Sequence, residues 1–178
     1  MRLAEFHTTR LAVRHWADDL ADPSDRAWVE RGVKALLTPK VLSPLPPSMQ
    51  LDDTPAALSH WIDHRAEESD VYLISIRAPE TGSGRLIGLM ILVDLSGDDE
   101  LAQMHLGYLL AEQDWGQGYA TEMLTGLVDV LHELAPLSVV AGVGHDNPAS
   151  AHVLEKAGFR NNPALSCDET DMFVQVFA

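Results

Sequence analysis

Apolar and polar positions alternate over short stretches of this chain, and the period of the alternation changes from one stretch to the next. A period of two over residues 9–14 and again over 71–77 predicts half-buried strands. Residues 86–95 are almost continuously apolar, which predicts a strand covered on both faces. The next strand is predicted over 101–110. Turn-forming residues separate the last three of these strands, so we expect antiparallel pairing among them.

Helical patterns lie before and after this group of strands. One helix is predicted to begin near Asp22-Pro23, and a second after Asp52-Asp53-Thr54-Pro55, where Asp and Thr suit the cap and Pro suits the first turn. Between them, the prolines of residues 38–50 predict an ordered loop without helix or inner strand. Turns are predicted over 79–84 and 96–100.

The second half of the chain alternates between helices and strands. Apolar residues at i, i+3, i+4 and i+7 predict a helix that ends near Leu134, before Pro136. A buried strand is predicted over 137–143, then a helix that starts within residues 145–150 and ends at Gly158, and a last strand over 172–177.

The most informative stretch runs from Leu106 to Met123. It begins as an apolar strand, breaks at a polar turn that contains Gly116 and Gly118, and continues as a helix. The two glycines lack Cβ atoms where a ligand would approach the backbone closely. The amides of residues 115–120 lie at the start of the helix, where free N–H groups and the helix dipole favour an anion such as phosphate.

Two familiar glycine motifs do not fit this turn. The dinucleotide fingerprint requires G-x-G-x-x-G near the start of a βαβ unit, whereas this chain has only G-x-G, late in the sequence. The P-loop requires a Lys after its last glycine, and none follows Gly118. A turn in which the glycines have no role beyond the backbone is the remaining alternative.

Size and charge narrow the function further. The 178 residues suit one domain, residues 1–178, with its own core. A net charge of −15 argues against direct binding of nucleic acid and suits a cationic substrate. The single cysteine, Cys167, allows no internal disulfide, and no signal peptide or membrane-spanning run is evident. We therefore expect a cytoplasmic protein that does not enter a membrane.

The turn resembles the pyrophosphate loop Q/R-x-x-G-x-G/A of the GCN5-related N-acetyltransferases, the GNAT family, through Gln113-x-x-Gly116-x-Gly118. Its flanks are similar to the RimJ/RimL-type branch of that family. The resemblance implies the GNAT acyl-CoA N-acyltransferase fold, an α/β architecture with a central, mixed, mostly antiparallel sheet flanked by helices. It also implies acetyl-CoA as co-substrate. The implied pyrophosphate contacts are Gln113, Trp115, Gly116, Gln117, Gly118, Tyr119, Ala120 and Thr121.

A second resemblance covers residues 147–159, which are similar to the signature N-x-x-[AS]-x-x-[VL]-x-E-K-x-G-F of the same branch. It implies that Asn147 contacts the pantetheine arm. The family comparison also implies that the amides of Leu109 and Leu110 meet the acetyl and pantetheine groups, because the strand parts from its neighbour there. Residues 155–159 are expected to be structural.

Acetyl transfer to an amine requires a base for the amine proton and a donor for the leaving sulfur. Many relatives have Glu two residues before Gly-Tyr, and this chain has His105 there. A neutral imidazole is a competent base near neutral pH. The alternative is a histidine that lines the sheet and is satisfied by a neighbour.

The donor position differs from the general family pattern as well. Where many members have Tyr seven residues after the Asn, this chain has Leu154, which cannot donate. The branch has a hydroxyl three residues after the Asn, here Ser150. Ser150 could protonate or hydrogen-bond the sulfur, or simply bond the backbone of its own helix turn.

The resemblance thus implies an N-acetyltransferase that moves the acetyl group to a primary amine by direct transfer in a ternary complex. The acceptor would be a protein N-terminus, a small amine metabolite or an antibiotic, and a homodimer is one assembly left open. No histidine or acidic spacing requires a metal. A non-catalytic acyl-CoA-binding regulatory module is the main alternative, and an ATP-binding protein is a weaker one.

Overall fold

A computed structural model describes residues 2–52, 54–77, 84–97 and 101–178. The strands are β1 (Phe6–His7), β2 (Leu11–His15), β3 (Asp70–Ile76), β4 (Leu86–Asp94), β5 (Ala102–Leu110), β6 (Leu137–Gly144), β7 (Arg160–Asn161) and β8 (Thr170–Phe177). The helices are α1 (Ala17–Ala21), α2 (Pro23–Leu36), α3 (Pro39–Leu42), α4 (Ala57–Glu68), α5 (Tyr119–Leu134) and α6 (Pro148–Lys156), with 3₁₀ turns at Pro47–Met49 and Glu112–Asp114.

The strands form one eight-stranded sheet in the order β1-β2-β3-β4-β5-β6-β8-β7. Every neighbouring pair is antiparallel except β5 and β6, which are parallel. The predicted α/β class with a mixed, mostly antiparallel sheet is therefore confirmed. The predicted antiparallel pairing among β3, β4 and β5 is confirmed as well.

Side chains alternate between two hydrophobic clusters on opposite faces of the sheet. In β3, Val71 and Leu73 pack with α2 and α4, whereas Tyr72 and Ile74 pack on the side of α5 and α6. Strand β4 contributes to both clusters, as its continuous apolar run predicts. Two helix layers thus cover the sheet and hold β5 at its centre.

The proline-rich segment differs from its prediction. Pro39 occupies the first turn of α3, and the Thr38 side chain caps that helix by accepting from the Val41 amide. Proline lacks an amide hydrogen, but the first helical turn needs none, so a proline can begin a short helix here. The prediction of an ordered loop without helix over 38–50 was wrong for Pro39–Leu42 and for the 3₁₀ turn.

The start of α4 also differs from its prediction. The helix begins at Ala57 after Ala56, and no side chain of a described residue caps it. The predicted cap includes Asp53, which lies outside the described residues. The same holds for most of the predicted turn over 79–84 and for the end of the turn over 96–100. The short elements α1, β1 and β7 had no predicted counterpart.

Candidate acetyl-CoA site

Strands β5 and β6 part at the centre of the sheet. Their parallel register ends at His105 opposite Val140. Beyond that point β5 stays paired with β4 as far as Leu110, while β6 stays paired with β8 as far as Gly144. Each strand follows its outer neighbour, so the facing backbone edge of β5 is left without a partner strand.

The hydrogen-bond alternation of an antiparallel pair decides which amides face this gap. The Leu95 amide donates to the Gln103 carbonyl, and the Ala111 amide donates to the Ile87 carbonyl. Odd-numbered β5 residues therefore bond β4, and even-numbered residues face β6. Leu110 has its amide toward the gap as expected, but the Leu109 amide belongs to the β4 ladder. The Tyr108 amide also faces the gap, and the ligand contacts of Leu109 and Leu110 stay predictions.

The turn after β5 has the free donors that an anion site requires. The amides of residues 116–121 donate to no protein acceptor within the described part of the chain. Gly116 and Gly118 have φ values of 71° and 81°, a left-handed conformation that favours glycine. Further along α5, the Glu122 amide is the first that donates to a protein acceptor, the Gly118 carbonyl. These positions include most of the predicted pyrophosphate contacts.

Two of the predicted contacts also shape the turn. The Trp115 indole donates to the Leu110 carbonyl at 2.8 Å, which ties the turn to the parted edge of β5. The Gln113 carbonyl accepts from the Gln117 side chain at 3.3 Å. Trp115 is 46% exposed, although its indole is hydrogen-bonded to β5.

An ion pair supports the near side of the turn. Arg85 at the start of β4 makes a two-pronged contact with Asp114, at 2.7 and 2.6 Å. Asp114 is buried, so its charge needs this partner. The motif did not single out either residue.

A second cluster supports the far side, and the sequence interpretation missed it too. Glu122 in the first turn of α5 accepts from the Thr8 hydroxyl at 2.6 Å, the Arg10 amide at 2.7 Å and the Arg10 guanidinium at 2.6 Å. Arg10 also donates to the Gln117 carbonyl at 3.1 Å and lies 4.3 Å from the Tyr119 ring centroid. The Arg10 side chain, from the turn between β1 and β2, therefore contacts Glu122, Gln117 and Tyr119 around the free amides.

The charge of Glu122 reflects these contacts. Burial by itself would raise the pKa of Glu122, but the hydrogen bonds from Thr8 and Arg10 outweigh burial, and the net pKa is lowered. The carboxylate therefore stays ionised and keeps its hold on Arg10.

Ser150 lies across the gap from β5, in the first turn of α6. Asn147 caps this helix through its side-chain oxygen, which accepts from the Ser150 amide at 3.2 Å. The Ser150 hydroxyl does not bond its own helix. It lies 2.8 Å from the hydroxyl of Tyr108 on β5. Leu154 is in the core, at 1% exposure, so no donor stands at the position where many relatives have Tyr.

His105 occupies the last paired position before the gap, on the opposite face of β5 from Tyr108. Its ring nitrogens have no hydrogen-bond partner among the described residues, in contrast to the alternative in which a neighbour satisfies them. Gly142 on β6 lies beside the ring, and a Cβ added there would be in ordinary van der Waals contact with Nε2, at 3.9 Å. Burial lowers the pKa of His105, and the imidazole is neutral at neutral pH.

Two further findings concern metal ions and membranes. Within the described ranges, no group of three or more His, Cys, Asp or Glu side chains could hold a metal ion. The helices of those ranges are also too short or too polar to cross a bilayer.

Comparison with known proteins supports the same fold. The family described as Acetyltransferase (GNAT) domain matches residues 10–160. No curated protein matches the chain significantly. The chain belongs to the GNAT acetyltransferase family, and its fold is the acyl-CoA N-acyltransferase fold.

Solved structures with this fold include RimJ, RimL and a spermidine N-acetyltransferase. RimJ of Mycobacterium smegmatis, in complex with CoA-disulfide, is 20% identical with a TM-score of 0.71, over 99% of this chain and 90% of its own. RimL, a ribosomal L7/L12 α-N-protein acetyltransferase in complex with coenzyme A, is 17% identical with a TM-score of 0.68, over 96% of both chains. Spermidine N-acetyltransferase of Vibrio cholerae, with CoA and spermine, is 14% identical with a TM-score of 0.68, over 93% and 95%.

Proposed function

We propose that this chain is an acetyl-CoA-dependent N-acetyltransferase that acts on a primary amine by direct transfer in a ternary complex. The observation that carries the proposal is the run of free amides over residues 116–121, next to the parted edge of β5. A diphosphate supplies the oxygens that such donors need. The Tyr108 and Leu110 amides would hold the pantetheine arm in the gap, with Asn147 opposite them.

Members of the family use the thioester of coenzyme A as the acetyl donor. In this chain, residues at the gap would supply the base and the hydrogen-bond donor. The amine nitrogen bonds the carbonyl carbon as the carbon–sulfur bond breaks. His105, neutral and without a hydrogen-bond partner in the described part of the chain, accepts the amine proton on one face of the sheet. Ser150, on the other face, donates a hydrogen bond to the departing sulfur. The amine must therefore approach from the His105 face.

The acceptor class stays open among a protein N-terminus, a small amine metabolite and an amine antibiotic. The named neighbours act on a ribosomal protein and on spermidine, which supports the first two equally. We further propose a single domain over 1–178, with cytoplasmic location.

The second candidate is an acyl-CoA-binding regulatory module without turnover. It is favoured by the absence of a donor at Leu154. The Tyr108–Ser150 hydroxyl pair weakens it, because that pair places a donor at the gap from another position.

An acceptor screen separates the two candidates. The purified chain is incubated with acetyl-CoA and a panel of peptide N-termini, polyamines and aminoglycosides, and released thiol is measured. We expect acceptor-dependent thiol release and an acetylated product by mass spectrometry. Tight CoA binding by calorimetry without release on any acceptor would favour the regulatory module. Absence of CoA binding would contradict both.

A further inference from the structure

The hydroxyl pair formed by Tyr108 and Ser150 spans the gap between β5 and α6. Its two oxygens are 2.8 Å apart and belong to residues far apart in the sequence. Tyr108 is on the part of β5 that has left β6, and it packs toward the cluster beneath α5 and α6. The pair therefore lies on the wall of the site proposed above for the pantetheine thioester.

The Ser150 hydroxyl bonds Tyr108 rather than the backbone of its own helix. Serine in the first turn of a helix commonly bonds nearby backbone. Here the Asn147 side chain already accepts from the Ser150 amide, and the hydroxyl turns across to Tyr108. The Tyr108 hydroxyl is the only partner of the Ser150 hydroxyl among the described residues.

The direction of this hydrogen bond decides whether Ser150 can help the sulfur. A serine hydroxyl has one proton. If Ser150 donates to Tyr108, that proton is used; if Tyr108 donates, the serine proton is free. Burial raises the pKa of Tyr108, and the hydrogen bond to Ser150 opposes the rise, so the phenol stays protonated. Since a phenol is the more acidic hydroxyl, it is the better donor of the two.

We propose that Tyr108 is a positioning residue for Ser150: it donates to the serine oxygen and thereby directs the serine proton toward the sulfur in the gap. No proton leaves Tyr108 in this arrangement. Donation into the serine oxygen polarises its O–H bond and strengthens the onward hydrogen bond. The proposal rests on the proposed function, because it takes Ser150 as the donor to the sulfur.

A double-mutant cycle tests whether Tyr108 acts through Ser150. The variants are Tyr108→Phe, Ser150→Ala and the two together, assayed for thiol release with an acceptor of the wild type. We expect Tyr108→Phe to lower kcat roughly 3- to 10-fold, the effect of one hydrogen bond, with little change in KM for acetyl-CoA. In the Ser150→Ala background, Tyr108→Phe should have no further effect.

Tyr72→Phe is the matched control. Tyr72 is a buried tyrosine on the same face of the sheet, and its hydroxyl accepts from the Leu3 amide at 2.7 Å, away from the gap. Its loss should lower the melting temperature without changing kcat. The proposal is overturned if Tyr108→Phe lowers kcat by the same factor in the wild type and in the Ser150→Ala variant, or if it leaves kcat unchanged.

A second measurement needs no acceptor. The thiol of bound CoA is titrated by the ultraviolet absorbance of its thiolate. We expect its pKa to be lower when bound to the wild type, and to rise by about 0.5–1 pH unit in Tyr108→Phe. An identical thiol pKa in wild type and Tyr108→Phe overturns this inference alone. A wild type that binds no CoA overturns the proposed function, and this inference with it.

Discussion

At the scale of single residues, His105 illustrates how burial prepares a base. The ring lies at the last paired position before the gap, without a hydrogen-bond partner among the described residues. Burial disfavours the charged imidazolium and lowers the pKa. A neutral base is thus available at pH values somewhat below the ordinary histidine value of about 6.5.

The corresponding prediction concerns the acidic limb of the pH–rate profile. Protonation of His105 should remove activity as the pH falls below about 6.5. His105→Ala should lower kcat/KM on the order of 10²-fold or more at neutral pH and abolish that limb. His60→Ala is the control, because His60 is an exposed histidine on α4. Persistence of the acidic limb in His105→Ala would exclude the base role.

Gly118 gives a second prediction at this scale. A Cβ added there would meet nothing closer than the Arg10 guanidinium at 3.6 Å, so space is available, but φ is 81°. Gly118→Ala should cost about 1–2 kcal/mol in backbone strain, which the turn relieves by moving its amides. We expect the Kd for CoA to weaken about 5- to 30-fold by calorimetry.

Gly97→Ala is the matched control for this substitution. An added Cβ at Gly97 has open space around it, and Gly97 is not among the glycines with positive φ. It should leave CoA affinity unchanged. Equal affinity of both variants would show that the left-handed turn at Gly118 does not shape the site.

At the scale of elements, the turn before α5 is held by contacts from the start of the chain. Glu122 fixes Arg10, and Arg10 holds the Gln117 carbonyl and the Tyr119 ring. These contacts fix the positions of the free amides before a ligand binds, so that binding costs less conformational entropy.

Arg10→Gln tests this arrangement. KM for acetyl-CoA should rise about tenfold, a change of about 1.4 kcal/mol. Activity with acetyl-N-acetylcysteamine, a thioester without a diphosphate, should not change. Arg77→Gln is the control, because it removes the same charge from a neighbouring position, and among the described residues the Arg77 side chain donates only to the Thr8 carbonyl. Equal losses with both thioesters would indicate a general structural role for Arg10.

The Glu122 carboxylate adds a pH dependence to the same element. Its pKa is below the ordinary value of 4.5, so the ionised form that holds Arg10 is fully present above that pH. The contact is lost as the pH falls through the lowered pKa. The protonation of Glu122 should therefore not affect CoA affinity near neutral pH and should weaken it only in acid.

At the scale of the whole molecule, the site is assembled from both halves of the sheet. The free amides follow β5, Arg10 comes from the turn between β1 and β2, Arg85 directly precedes β4, and Ser150 comes from α6. These elements support one another around the proposed CoA site, so we expect CoA binding to stabilise the fold as a unit.

A thermal melt measures this linkage. At a CoA concentration of 100 Kd, binding should add about 2.7 kcal/mol to the free energy of unfolding. For a chain of this size, that raises Tm by roughly 5–11 °C. Pantetheine at the same concentration, which lacks the diphosphate, should raise Tm much less. Equal Tm shifts with CoA and with pantetheine would show that the turn contributes little to the binding of CoA.

Local patterns were sufficient for much of this architecture. The glycine turn, the helix after it and the strands β3 to β5 were predicted because each depends on neighbouring residues, through φ preference, caps and the period of apolar positions. The prolines of residues 38–50 misled the prediction because a proline at a first helical position is compatible with a helix.

The amino-acid sequence by itself determined the family resemblance, the free amides of the turn and the candidates His105 and Ser150. Only the tertiary structure decided that Tyr108 meets Ser150, that Arg10 meets Glu122 and that Leu110 rather than Leu109 faces the gap. These pairs join residues distant in the chain, or depend on the register of two strands. No local period encodes such contacts, because they are set by which surfaces pack together when the sheet closes.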